Sequence, residues 1–224
     1  MTSLQQLAVE NNMAWCQIVS TLHGCHPRMD HQFWGLDQKA PTFYPDVVTK
    51  TENVSYEEYL NFTNHRPVEF IKDSFSSLQL PEGEYSVLFN AHWIYHAPVK
   101  SGSQKAVKYR PVSSTEDLRL WTTTHGSGDV FTSGILSHPD VTFYANKGDH
   151  IESGFIVNVH ENTVGVFNVF STKISSSLWT DIIQSVSQNH ECLHIVGYEQ
   201  DKDYENAIRA GWENIGDLRV WMKN

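Results

Sequence analysis

The order of patterned segments in the second half of the chain constrains the fold more than any other feature. Val107–Val112 reads as a strand, and Ser114 and Asp117 form a capping pair ahead of a helix carrying Leu118, Leu120 and Trp121. Three strands follow, Val141–Asn146, Gly154–Glu161 and Val164–Phe170, with a hairpin turn at Glu161-Asn162. Leu178, Trp179, Ile182, Ile183 and Val186 then recur at helical spacing. The run Leu193–Tyr198 is apolar and β-rich, as a strand covered on both faces must be. A helix over Asp203–Ala210 ends at Gly211, and Leu218–Met222 closes the chain as a strand. Strand, helix, three strands, helix, strand, helix, strand is the plan of an α+β protein built on a mixed sheet.

The first half is shorter in pattern. Ser3 and Gln6 cap a helix whose apolar positions run from Leu4 to Leu22, with Gly24 as its stop. Cys25 to Pro45 reads as a loop, Val47–Thr49 as a short strand, and Ser55 with Glu58 opens a second helix. After the turn Pro81-Glu82-Gly83, Tyr85–His96 reads as a long strand with Tyr85, Val87, Phe89, Ala91, Trp93 and Tyr95 on one face. Pro98–Lys105 is poor in apolar residues and reads as a linker. These breaks predict two domains, 1–98 and 107–224.

A net charge of -10 opposes phosphate backbones, so general nucleic-acid binding is not expected. The three cysteines, Cys16, Cys25 and Cys192, are odd in number, lie far apart and include no CxxC, which fits free thiols in a reducing compartment. Charged or polar residues interrupt every apolar run before the ~20 residues a bilayer requires, so no membrane association is expected. Glu10, Asn11 and Asn12 stand where a secretory signal would be apolar, and the expected location is the cytoplasm. The sequence carries no reading of oligomeric state.

The segment order, together with Tyr109-Arg110-Pro111-Val112-Ser113-Ser114-Thr115-Glu116-Asp117-Leu118, Val164–Phe170, Ile195–Glu199, Ala207-Ile208-Arg209-Ala210-Gly211-Trp212-Glu213 and Asp217–Trp221, resembles the GNAT (GCN5-related) N-acetyltransferases. The resemblance covers about residues 107–224. Trp15-Cys16, His23-Gly24, Phe43-Tyr44-Pro45 and Lys72-Asp73-Ser74-Phe75 are similar to the N-terminal part of a divergent two-part subgroup, so the first domain is expected as a degenerate GNAT-like half.

The resemblance implies acetyl-CoA as cosubstrate, an amine of a small molecule or amino-acid-like compound as acceptor, and a cosubstrate loop after the fourth strand of the fold. Here that loop is Ser171-Thr172-Lys173-Ile174-Ser175-Ser176-Ser177, without the family's glycines. Ser171, Ser175, Ser176 and Ser177 offer amides and hydroxyls to a pyrophosphate at a helix start, and Lys173 offers charge. Val169 and Phe170 are the candidates, by position, for polarising the thioester carbonyl through backbone amides. Glu199 ends the buried strand and is the candidate base; Tyr204 stands one turn before Ala207, which holds the family's usual tyrosine position, and is the candidate acid.

Other readings stay open. A member of the fold that binds a ligand or partner without catalysis fits the glycine-free loop. A metal enzyme would draw on His190, Cys192 and His194 or on His23, Cys25 and His26, each lacking a fourth partner, whereas His92 and His96 lie ~13 Å apart along a strand, too far to share an ion. His125-Gly126-Ser127-Gly128-Asp129 reads as a polar connector that would border the acceptor site.

Overall fold

The computed structural model describes residues 2–66, 68–99 and 108–224. In chain order its elements are α1 (Leu4–Leu22), β1 (Pro27–Met29), β2 (Phe33–Leu36), β3 (Val47–Thr49), α2 (Tyr56–Thr63), β4 (Phe70–Asp73), β5 (Tyr85–His96), β6 (Arg110–Pro111), α3 (Thr115–His125), two short 3-10 turns, β7 (Val141–Lys147), β8 (Ile151–His160), β9 (Thr163–Ser171), α4 (Leu178–Asn189), β10 (His194–Glu199), α5 (Asp201–Arg209) and β11 (Glu213–Lys223). Helices and strands mix as the sequence pattern predicts.

The chain forms two compact units, Met1–Trp93 with Ile215–Asn224, and Ile94–Asn214. The division falls within β5, upstream of the expected 98–107 break, and most of the closing strand belongs to the first unit. Its partner there is β4, with Arg219 opposite Asp73 and Trp221 opposite Ile71. Most of the expected linker, residues 100–107, and with it the start of the strand at Val107, lies outside the described residues.

In the first unit, β1 and β2 pair antiparallel, β2 and β3 antiparallel, and β3 and β4 parallel, with α2 as the crossover. Residues 25–45, expected as a loop, thus contain two strands, and β4 is a third that the pattern does not announce. Phe33, Trp34, Gly35 and Leu36 are all buried, so no polar alternation marks them, and a four-residue strand is too short for a period to show. The expected capping pairs all lie at helix starts, but only Ser55 and Glu58 bond in both directions. At α1, Ser3 accepts from the amide of Gln6, whose side chain turns instead to Glu10.

The second unit repeats this plan: α3, then β7, β8 and β9 linked antiparallel, then α4 and a parallel β10. One core joins Phe155, Val157, Val164, Val166 and Ile195 of the sheet to Leu178, Trp179, Ile182 and Val186 of α4. On the side of α3, the buried Trp121 packs edge-on against Phe143 and Phe170, each with ring centroids 5.0 Å away, and donates to the carbonyl of Tyr144 at 3.0 Å. The three cysteines are free, and no described helix is long and apolar enough to cross a membrane.

Candidate active site

The second unit's parallel pair is joined at one end and open at the other. His194, Ile195, Val196 and Gly197 of β10 face Thr163, Val164, Gly165 and Val166 of β9. Gly197 makes the last rung, and only glycine fits there: a Cβ would stand 2.8 Å from the Val166 carbonyl oxygen. Beyond it β9 runs on to Ser171 and β10 to Glu199 with no further rung. The cause lies on the other edge of β9. Ile156 of β8 faces Phe167, but Gly154 faces Phe170, so β9 carries one extra residue. Asn168 takes the left-handed conformation, φ 53°. A bulge of this kind bends its strand and increases its twist, which draws Asn168–Phe170 out of line with β10. Val169 and Phe170, both half-buried, therefore lie where the two strands part.

Glu199 ends β10 at that open end. It is half-buried and makes no hydrogen bond or ion pair among the described residues. Burial raises its pKa well above the ordinary carboxylate value, and the nearby charge of Asp203 adds to the rise. Tyr204, one turn into α5, packs on the core, and its hydroxyl accepts from the Asn214 side-chain amide at 3.0 Å.

The Ser171–Ser177 loop follows the bulge. Ser177 precedes α4 but makes no side-chain cap; its hydroxyl donates instead to Asp181 at 2.8 Å, and Ser175 sits 3.3 Å from Ser177, hydroxyl to hydroxyl. The amides of the first turn of α4 are thus left without a capping side chain, the arrangement that receives an anion at a helix start. Ser171 donates to the Lys173 carbonyl, Ser176 is exposed, and Ile174 is 96% exposed. Lys173 pairs with Glu152 at 2.6 Å, which holds that carboxyl below its usual value. Asp181, an acid in the first turn where an anion would sit, is paired with Lys108 at 2.8 Å.

Sequence reasoning missed four of these features: the bulge at Asn168, the two acids that engage Lys173 and Lys108, and the place of His125. His125 ends α3, stacks on Trp121 with centroids 4.9 Å apart and meets Phe170 edge-on at 5.4 Å. Its Nδ1 is buried without a hydrogen-bond partner among the described residues, and burial lowers its pKa. The His125–Asp129 segment was singled out as bordering the site; the stacking was not legible. Among the described residues no group of three or more His, Cys, Asp or Glu is placed to hold a metal ion.

The first unit has the same strand–helix–strand unit without the opening. Thr49 ends β3, and its hydroxyl accepts from the buried amide of Ser74 at 2.8 Å, tying the ends of β3 and β4 together. Ser55 and Glu58 cap α2 reciprocally.

No protein-family model matches this chain, and no curated protein does. Solved structures do match. A GCN5-related N-acetyltransferase from Kribbella flavida aligns over 100% of this chain and 96% of its own, with a TM-score of 0.66 and 11% identity. A protein of Novosphingobium aromaticivorans classed as a GNAT-family acetyltransferase aligns over 94% and 96%, with a TM-score of 0.57 and 10% identity. A conserved protein of unknown function from Staphylococcus epidermidis aligns over 88% and 93%, with a TM-score of 0.60 and 10% identity. At such identities the likeness is one of fold, and the fold is GNAT-like.

Proposed function

We propose that the chain is an acyl-CoA-dependent N-acyltransferase that transfers acetyl from acetyl-CoA to an amine of a small molecule or amino-acid-like acceptor. The observation that carries this reading is the parting of β9 and β10 beyond Gly197, with the carboxyl of Glu199 at the open end making no hydrogen bond or ion pair among the described residues.

The pantetheine arm is assigned to the gap between β9 and β10, and the pyrophosphate to the uncapped start of α4 beside Ser175, Ser176 and Ser177. Bound there, acetyl-CoA supplies an activated acyl group as a thioester. The bulged segment presents the backbone of Val169 and Phe170 to that carbonyl, where N–H groups stabilise developing negative charge. Glu199 takes the proton of the attacking amine, directly or through one water; its raised pKa brings it closer to the amine's and makes it a stronger base than an ordinary carboxylate. Tyr204 gives a proton to the departing thiolate. Accepting a bond from Asn214 orients the phenol and leaves it its own proton to donate. The first unit is a degenerate copy of the same plan, and the free thiols fit a cytoplasmic setting.

A second reading, a ligand or partner binder without catalysis, is favoured by the glycine-free loop and by the engagement of Lys173 with Glu152. Calorimetric titration with acetyl-CoA, followed by acetyl transfer to a panel of primary amines, separates the two. Binding with transfer supports the enzyme; binding without transfer, or no binding of acetyl-CoA at all, overturns it in favour of the second reading.

A further inference from the structure

Beside the start of α4, the second unit carries a cavity of about 460 Å³ that the proposed chemistry does not use. Its floor is apolar, from Val112, Ala145 and Ile151, which are 8%, 6% and 2% exposed. Its rim carries Lys108, Arg110 and Lys147 against the single carboxylate of Asp117, in a chain whose net charge is -10. The ion pairs at this end of the sheet leave one cation over. Lys147 pairs with Asp117, Lys108 with Asp181, and Lys173 with Glu152. Arg110 has no hydrogen bond or ion pair among the described residues. It lies in β6 at the sheet's edge, opposite Ala145, with Pro111 next to it fixing the backbone.

A guanidinium fork at the mouth of a cavity, left over where the neighbouring ammonium groups are each matched to a carboxylate, offers two parallel donors to a tetrahedral phosphate. The cavity is also connected to the cleft. Lys108 lines it and donates to Asp181 at 2.8 Å, and the same carboxylate oxygen accepts from Ser177 at 2.8 Å, at the first turn of α4. A ligand with a pyrophosphate at that turn and a further phosphate monoester nearby meets both places.

We infer that the Arg110 pocket binds a phosphate monoester, and that its source is the 3′-phosphate of CoA. This rests on the acyl-CoA reading for the source, though not for the chemistry of the pocket. The test titrates CoA and 3′-dephospho-CoA against the intact protein and its Arg110→Ala and Arg110→Lys variants, with inorganic phosphate as a third ligand. One charge-assisted guanidinium–phosphate contact corresponds to about ten-fold or more in affinity. The unaltered protein should prefer CoA over dephospho-CoA by about that factor, Arg110→Ala should lose the preference while keeping dephospho-CoA affinity, and Arg110→Lys should keep part of it. An equal affinity for the two nucleotides, or a preference that survives Arg110→Ala, overturns the inference and leaves the acyl-CoA reading intact. If neither nucleotide binds, the acyl-CoA reading falls. In that case a saturable, Arg110-dependent rise in melting temperature with inorganic phosphate still establishes the pocket as a phosphate site, and the absence of such a rise overturns it. Arg110 is exposed, so its replacement should leave the unliganded melting temperature unchanged.

Discussion

Gly154 is the position where a single added methyl group should do most damage to the structure around the bulge. Its ideal Cβ would lie 2.5 Å from the Trp121 ring nitrogen, 2.7 Å from the Tyr144 carbonyl oxygen and 2.8 Å from a Phe170 ring carbon. Ordinary non-bonded contact begins at ~3.5 Å, so each neighbour must retreat by about 1 Å. The carbonyl is part of β7, directly paired with β8, and cannot move alone. Trp121 is fully buried among Phe131, Phe143 and Phe170, so it has no open side to move into. Overpacking of this kind costs about 1–3 kcal/mol. Displacing Trp121 also breaks its bond to Tyr144, and a buried orphaned N–H costs about 1–3 kcal/mol more. Gly154→Ala should therefore lose about 2–6 kcal/mol, a large part of a typical domain's stability. Urea unfolding should show a lower midpoint at unchanged slope. Trp121→Phe removes the clashing nitrogen, so the double variant should be less destabilised than the sum of the singles by at least about 1 kcal/mol. A single-variant loss below about 1 kcal/mol, or additivity in the cycle, would falsify the close packing that sets the bulge against α3.

Glu199→Gln should keep acetyl-CoA affinity while lowering turnover by about 100-fold. Because the folded carboxyl holds its proton more tightly than the unfolded chain does, the contribution of Glu199 to stability is fully present below the unfolded-chain value and is lost as pH climbs through the raised one. The glutamine variant lacks that fall, and parallel urea-midpoint profiles from pH 4 to 9 for the two proteins would exclude it. Lys173→Glu should weaken acetyl-CoA about five-fold, since two units of charge change near a pyrophosphate. If Lys173 acts through the local field, exchanging the pair as Glu152→Lys with Lys173→Glu should restore affinity; failure of the exchange, with folding intact, would mean that Lys173 itself grips the phosphate. Calorimetry should give one acetyl-CoA per chain, because only one of the two described parallel pairs is open; a stoichiometry near two would contradict the closure at Thr49.

What the sequence reveals follows the length scale of each feature. Helices with capping residues and the longer strands leave a period or an apolar run, and two of the strands expected on that ground meet as the parallel pair Thr163–Val166 with His194–Gly197. Three- and four-residue strands such as Pro27–Met29 and Phe70–Asp73 leave none. The return of β11 to the first unit rests on Arg219 facing Asp73, a pairing across the whole chain that no local pattern encodes. At the site, the strand-end position of Glu199 was legible, as was the helix start after the serines. The Lys173–Glu152 pair was not, because it depends on the register of β8 against β9. Asn168 carried a weak signal: asparagine tolerates the left-handed region better than most residues, and it stands in a strand that is otherwise apolar and β-branched.

The two copies of the strand–helix–strand unit show what opening one requires. Both have a parallel pair and a serine before the crossover helix. In the first, Thr49 spends its hydroxyl on the Ser74 amide and ties the strand ends together, and Ser55 and Glu58 occupy each other's amides and cap the helix start. In the second, Phe170 and Ser171 stand where such a tie would form, the bulge has already carried them away from β10, and Ser177 turns to Asp181 instead of capping. An acid in the first helical turn would normally repel a phosphate, but here Lys108 neutralises it, so Asp181 serves to draw the serine off the helix start without leaving a net negative charge there. The difference between the closed copy and the open one thus comes down to one extra residue in β9 and the choice of partner made by a single serine hydroxyl, with no change in the order of the elements. Glycines in a loop are one way to expose backbone amides; a serine diverted by a neutralised aspartate is another, and it is the one on which the proposed pyrophosphate site depends.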